Sequence, residues 1–213
     1  MKKAYILYSP GTNCEEETMR AFELAGAIPE LLFLDDVISG KKKISDCDLF
    51  CFPGGFSFGD HIGAGAIAAA LIKDFIPELL EAQIPVIGIC NGFQVMVRAG
   101  MFGPGIALAR NDSGVFCSRP AQHKVIGSNC IWTRNLEGQI LSFPAAHKFG
   151  KLSGENLSKA NVVMDYYPHS PNGGFEAALT SENGLLLGLM DHPERPFGNP
   201  DGLKLFWNAI TEV

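Results

Sequence analysis

The stretch Pro85-Val86-Ile87-Gly88-Ile89-Cys90-Asn91-Gly92-Phe93-Gln94 decides the fold. Residues 86–89 are β-branched or small, which suits a strand buried on both faces. The run stops at Cys90, and residues 93–99 read as a helix. A Gly-x-Cys-x-Gly run between strand and helix is the cysteine form of a nucleophile elbow. Its glycines permit a sharp turn that exposes the side chain at the strand's C-terminal edge. The helix N-terminus adds partial positive charge, which favours a thiolate. Two readings of Cys90 stay open locally: an inert thiol buried at a strand end, or a nucleophile.

Working outward, the N-terminal half repeats the same grammar. Residues 4–8 form a short apolar strand ending at Ser9-Pro10-Gly11. Thr12 or Asn13 is expected to cap a helix over residues 15–25, with Glu15-Glu16-Glu17 in its first turn. Residues 29–34 are the next strand, followed by the solvated run Lys41-Lys42-Lys43. Residues 48–52 are a third strand, stopped by Pro53-Gly54-Gly55. A Phe56-Ser57-Phe58-Gly59-Asp60 loop and an Ala-rich helix over residues 62–80 lead to the elbow strand. This order predicts an α/β fold: an open, mostly parallel sheet flanked by helices. In such sheets function gathers at the C-terminal strand ends, where Ser9-Pro10-Gly11, Gly54-Gly55 and Cys90 all fall.

After Gly100 the runs are short and β-like: 107–109, 115–117, 130–132 and 162–167. Residues 176–180 and 185–190 around Asn183-Gly184 read as a hairpin. Residues 202–210 form a closing amphipathic helix. The second half is therefore expected to add β-hairpins to one domain spanning residues 1–213.

Composition excludes several classes. Hydrophobic residues are 46% of the 213 and charged residues 19%, which permits a sizeable core. The net charge of −6 argues against nucleic acid or an anionic membrane as partner. The longest apolar stretch, residues 62–72, holds two glycines and is too short for a membrane span. Met1-Lys2-Lys3 precedes too brief an apolar run for a secretory signal, so none is expected. The five histidines show no zinc-ligand spacing and the six cysteines no C-x-x-C array. Reduced thiols in the cytoplasm and no metal site are expected.

A cysteine nucleophile needs a base within hydrogen-bond reach and a group to orient that base. His192 ends an apolar strand, and Glu194 lies two residues on, on the same side of an extended segment. Pro193 between them stiffens the arrangement. Gly55 at a strand end and the N–H of Asn91 could serve as oxyanion donors. Each element alone also fits a surface turn.

Their order resembles class I glutamine amidotransferases, and within them the family of glutaminase subunits of phosphoribosylformylglycinamidine synthases. The carrying stretches are Ser9-Pro10-Gly11-Thr12-Asn13-Cys14, Pro53 to Asp60, Gly88 to Gln94, Asn111-Asp112-Ser113 with Phe116, Pro171-Asn172-Gly173, and Gly188-Leu189-Met190 followed by His192-Pro193-Glu194-Arg195. They run from residue 9 to residue 195. The resemblance implies a flavodoxin-like sheet and a glutaminase in which Cys90 forms a glutamyl thioester. His192, oriented by Glu194, would shuttle the proton, and Gly55 and Asn91 would hold the oxyanion. Gln94, Asn111, Ser113 and Phe116 would bind glutamine. Ammonia would pass to an ATP- and Mg-dependent PurL-type synthetase subunit, with a small PurS-type subunit, to convert formylglycinamide ribonucleotide to the amidine. No cofactor is expected on this chain, which lacks a Gly-Lys-Ser/Thr phosphate loop. The alternative is a catalytically silent homologue that regulates or scaffolds a partner.

The chain departs from that family's pattern at Pro144-Ala145-Ala146-His147-Lys148-Phe149-Gly150-Lys151, where the family carries Pro-x-x-His-Gly-Glu-Gly-Arg. It departs again at Asp191, where the family has proline; this side chain is expected to point away from His192. Cys14 is either a second functional thiol or packing at a helix start. His147 is either site-lining or structural, and His61 reads as the neighbour of a helix cap.

Overall fold

The computed structural model describes residues 1–55, 70–195 and 199–213. The expected 56–60 loop, His61 and the first part of the 62–80 helix lie outside the described residues. In chain order the elements are β1 (Lys3–Tyr8), α1 (Glu15–Leu24), β2 (Ile28–Phe33), α2 (Leu34–Ile38), β3 (Leu49–Phe52), α3 (Ile76–Glu81), β4 (Val86–Ile89) and α4 (Asn91–Arg98). Then come β5 (Ala107–Ala109), β6 (Cys117–Val125), β7 (Ile140–His147), β8 (Lys151–Ser153), β9 (Asn161–Tyr166), β10 (Glu176–Thr180), β11 (Leu186–Leu189) and α5 (Leu203–Glu212).

One sheet runs in the order β2-β1-β3-β4-β11-β10-β9-β6-β7. The first five are mutually parallel, and the order 2-1-3-4 is that of a doubly wound sheet with its switch point at β1/β3. From β11 to β7 each neighbour is antiparallel. The expected hairpins therefore extend the main sheet, and a separate pair, β5 with β8, lies apart from it.

The two-residue strand period sorts the core. Ala4 and Ile6 of β1 join Ile87 and Ile89 of β4 on the face covered by α1 and α5, where Phe22 meets Phe206 edge-on at 4.9 Å. Tyr5 and Leu7 join Phe50, Phe52 and Val86 on the other face, under Leu79 of α3 and Val95 and Met96 of α4. Gly88 sits where α4 crosses β4; a Cβ there would lie 2.2 Å from Met96 Sδ. Both faces of β3 and β4 are fully buried, which explains why these strands read as continuous apolar runs.

Several local expectations change. The N-cap of α1 is Cys14, with no side-chain cap bond; Thr18 donates to the Cys14 carbonyl at 2.7 Å. The short helix α2 follows β2 directly. The helix expected to continue to residue 80 is interrupted by a turn at 73–75, because Pro77 starts a new helix with its ring in the first turn of α3. Residues 130–132 form turns rather than a strand, with Trp132 buried and its indole N–H on the Leu185 carbonyl at 3.1 Å. Val115 and Phe116 precede β6 and are exposed.

Candidate active site

The end of β4 carries the strained residue. Cys90 has φ 51° and ψ −108°, between the last strand residue and the first turn of α4. L-residues rarely adopt such a positive φ, so tight surroundings must impose it. Gly92 permits the approach: a Cβ there would lie 1.9 Å from the Phe52 carbonyl oxygen. Cys90 N–H donates to the Leu189 carbonyl at 2.9 Å, locking the turn onto β11. The thiol thus stands at the C-terminal edge of the parallel strands, over the N-terminus of α4.

The neighbouring strand brings the base. Beyond β11, His192 N–H donates to the Pro144 carbonyl of β7 at 2.8 Å, fixing the backbone. His192 Nδ1 and Glu194 Oε1 are 2.6 Å apart, with both residues no more than 2% exposed. Burial by itself favours the neutral imidazole. The Glu194 charge, the Cys90 sulfur and hydrogen bonds to Cys14 and Cys90 outweigh it and raise the His192 pKa well above its usual value. Three further thiols lie outside this cluster. Burial pushes Cys47 up to about 12 and raises Cys51 and Cys130, which keeps them protonated and unreactive.

The end of β3 closes the third side. A Cβ on Gly54 would come within 3.0 Å of His192 Cε1 and 3.1 Å of Cys14 Sγ, so glycine lets the imidazole lie against the strand end. Gly55 bridges Thr12 in the β1–α1 loop. A cavity of about 230 Å³ is lined by Gly55, Cys90, Asn91, Gln94, Phe116 and His192, by the 146–149 segment, and by Asn13, Cys14 and Arg195. Seven of the nine residues expected at the site therefore meet: Cys90, His192 and Glu194 at the reacting end, Gly55 and Asn91 beside them, Gln94 and Phe116 around the cavity.

The other two lie elsewhere. Asn111 stands behind the wall: its Nδ2 donates to the His147 carbonyl at 2.9 Å and its Oδ1 accepts from Gly150 N–H at 3.1 Å. Ser113 is exposed, its Oγ accepting from Val115 N–H at 3.4 Å, and is not among the cavity-lining residues. Gln94 is itself braced, with Nε2 on the Phe149 carbonyl at 3.2 Å and Oε1 on Asn91 Nδ2 at 3.1 Å.

Sequence reasoning missed two supports. Arg195 donates from Nη2 to Cys14 Sγ at 3.1 Å and from Nε to Glu17 at 3.1 Å, buttressing the His192 side. Asn172 donates to the Gly150 carbonyl at 2.7 Å and so fastens the wall from behind. Both partners are far away in the chain; the sole sequence signal was their place beside Glu194 and Gly173. Cys14, His192 and Glu194 also bring three potential metal-ligand atoms within 4.8 Å of one another. The Arg195 guanidinium already rests on that sulfur and would repel a metal cation.

The altered segment has a concrete role. Residues 146–149 form a wall of the cavity, and the Ala146 carbonyl lies 3.9 Å from Cys90 Sγ. Lys151 turns outward to pair with Asp112 at 2.8 Å. Asp191 points away from His192: His147 Nε2 lies 2.8 Å from Oδ1 and His123 Nε2 2.6 Å from Oδ2.

The model of the CobB/CobQ-like glutamine amidotransferase domain matches residues 1–201. The chain is 37% identical to phosphoribosylformylglycinamidine synthase subunit PurQ of Archaeoglobus fulgidus, over 98% of this chain and 96% of that protein. It is 36% identical to the same subunit of Pyrococcus horikoshii, over 99% and 98%. The solved structure of PurLQS from Thermotoga maritima contains a chain that superposes with a TM-score of 0.88 at 33% identity, covering 100% of this chain and 99% of that one.

Proposed function

Since the chain belongs to the CobB/CobQ-like class I glutamine amidotransferases and is a glutaminase subunit of phosphoribosylformylglycinamidine synthase in purine biosynthesis, we propose that Cys90, His192 and Glu194 carry its chemistry. The observation behind this assignment is the shared site: a thiol on a strained elbow opens onto the same cavity as a buried imidazole paired to a carboxylate at 2.6 Å.

His192 takes the Cys90 proton, and the thiolate attacks the side-chain amide carbon of glutamine. Glu194 accepts from Nδ1–H, which leaves Nε2 as the atom that receives and returns the proton. Charge developing on the amide oxygen is met by the backbone N–H groups of Gly55 and Asn91. Asn91 is the first residue of α4, and the first four N–H groups of a helix have no intrahelical acceptor. His192 then protonates the departing nitrogen, ammonia leaves, and Cys90 holds a glutamyl thioester. Water, deprotonated by His192, attacks the thioester and glutamate is released with the thiol restored. Gln94 and Phe116 hold the substrate. Asn111 acts behind them, and Ser113 has no role in this scheme.

The ammonia passes to a PurL-type synthetase subunit, which binds ATP and Mg, within an assembly that includes a small PurS-type subunit. The likeness to a chain of the Thermotoga maritima PurLQS assembly supports that partnership. Residues 1–213 act as one glutamine amidotransferase domain, and the site needs no cofactor of its own. The unpaired thiols fit a cytoplasmic setting. No helix among the described residues is long and apolar enough to cross a membrane.

The test is glutamate release from glutamine, with and without the synthetase partner, against Cys90→Ala. The proposal expects release from the wild type in the complex and none from the variant. Equal release from both would overturn it.

A further inference from the structure

The cavity wall at residues 146–149 is held from three directions. Asn111 takes the His147 carbonyl and Gly150 N–H, and Asn172 takes the Gly150 carbonyl. The third anchor works through a side chain: His147 Nε2 lies 2.8 Å from Asp191 Oδ1. Asp191 does not end there. Its Oδ2 lies 2.6 Å from His123 Nε2, and the His123 ring stacks on Phe143 at 3.8 Å with planes 10° apart. His123 is on β6, His147 ends β7 and Asp191 follows β11, so one carboxylate ties three elements at the substrate end of the sheet. All three residues are at most 3% exposed.

This arrangement is costly unless geometry is its use. Each buried carboxylate oxygen costs free energy unless a donor meets it; both Asp191 oxygens are met, yet apolar residues would pack there at lower risk. What the clamp fixes is specific. The Ala146 carbonyl faces Cys90, and the Phe149 carbonyl holds Gln94 Nε2. Moving His147 moves the wall that brackets the cavity, while His192 keeps its own backbone bond to the Pro144 carbonyl and its own carboxylate at Glu194.

We propose that Asp191 is a positioning residue for glutamine binding: with His123 as its second support, it sets the cavity wall through His147. It acts on substrate affinity and not on proton transfer, although it is the residue next to the base. The proposal rests on the cavity being the glutamine site.

The test is steady-state glutaminase kinetics in the complex with the synthetase subunit, for wild type, Asp191→Ala and Asp191→Asn. Asp191→Ala should raise KM for glutamine by about tenfold or more, the equivalent of one or two buried hydrogen bonds. Its kcat and the pH profile of kcat should stay within about threefold of wild type, since the His192–Glu194 pair is untouched. Asp191→Asn has the same shape and can still bond both rings, one of them as the other tautomer, so it should recover most of the KM. A general loosening of the fold would lower kcat as well and would not be rescued by shape. Unchanged KM in Asp191→Ala, or a loss confined to kcat, overturns the proposal. If Asp191→Ala does not fold, His123→Phe replaces it, keeping a ring on Phe143 while removing one N–H. A severalfold rise in KM is then expected, and an unchanged KM overturns the proposal. Wild type without glutaminase activity would instead refute the assignment of the cavity.

Discussion

Replacing Glu194 by glutamine changes one buried atom pair and little else. Glu194 is 1% exposed, and its Oε1 lies 2.6 Å from His192 Nδ1. An amide of the same size offers two outcomes. If its oxygen faces Nδ1–H, the hydrogen bond survives but the charge that stabilises the imidazolium is gone. If its NH2 faces Nδ1, the ring is forced into the other tautomer, with its proton on Nε2 where the thiol proton must go. Swapping the orienting carboxylate of a Ser-His-Asp triad for its amide lowers kcat about 10⁴-fold. A loss of roughly 10²–10⁴ in kcat/KM, or about 3–5 kcal/mol of barrier at about 1.4 kcal/mol per decade, is therefore expected. The assay is glutamate release by the complex, with thermal unfolding alongside to separate catalysis from stability. Glu194 raises the His192 pKa, so the rate at which a small alkylating agent modifies Cys90 at neutral pH should also fall. A Glu194→Gln enzyme within threefold of wild type would refute the claim that Glu194 orients and charges the base.

Four further outcomes follow from the same structure. Gly92→Ala places a methyl about 1.5 Å inside ordinary contact with the Phe52 carbonyl; it should cost about 1–3 kcal/mol and most of the activity, and an unchanged melting temperature would contradict the elbow packing. Burial opposes the Asp191 charge, but hydrogen bonds from His123 and His147 overcome it and hold its pKa far below the ordinary 3.8. The stability this gives is full above about pH 4 and is lost as pH falls towards the folded value, so the stability gap between wild type and Asp191→Asn should shrink in acid denaturation below pH 4. Lys151→Ala removes a pair whose Asp112 side chain is 58% exposed; it should shift stability by less than about 1 kcal/mol in urea titration and leave KM for glutamine unchanged. Asn111→Ala removes the bonds to the His147 carbonyl and Gly150 N–H, and should raise KM severalfold by loosening the wall, read in the same glutamate assay.

The candidate site was legible where backbone and residue type are coded locally. Gly88, Cys90 and Gly92 lie within five residues, and the strand that ends at Cys90 announces its burial by its own composition. His192 and Glu194 are likewise two residues apart. What joins distant segments was not legible. The β6–β7 hairpin sets Pro120 opposite Pro144, residues that argue against strand until their place near the sheet edge is known. Trp132 looks like strand because it is large and buried, yet it fills the core from a turn. Pro77 divides a helix whose alanine content reads as continuous. Ser113 shares a short run with Asn111, but the turn directs it to solvent, while Asn111 points inward at the wall. Asp191 could be placed on the side opposite His192 by the alternation of an extended segment. That it meets two histidines from β6 and β7 depends on a register that no local pattern specifies.

In the proposed mechanism Cys90 is the nucleophile and His192 activates it. The direct measurement is peptide mapping by mass spectrometry after the complex is treated with an electrophilic glutamine analogue. A single adduct on Cys90 is expected, prevented by excess glutamine and slowed by orders of magnitude in His192→Asn. An adduct on Cys14, which shares the cavity, or labelling of Cys90 that ignores both glutamine and His192, would contradict it.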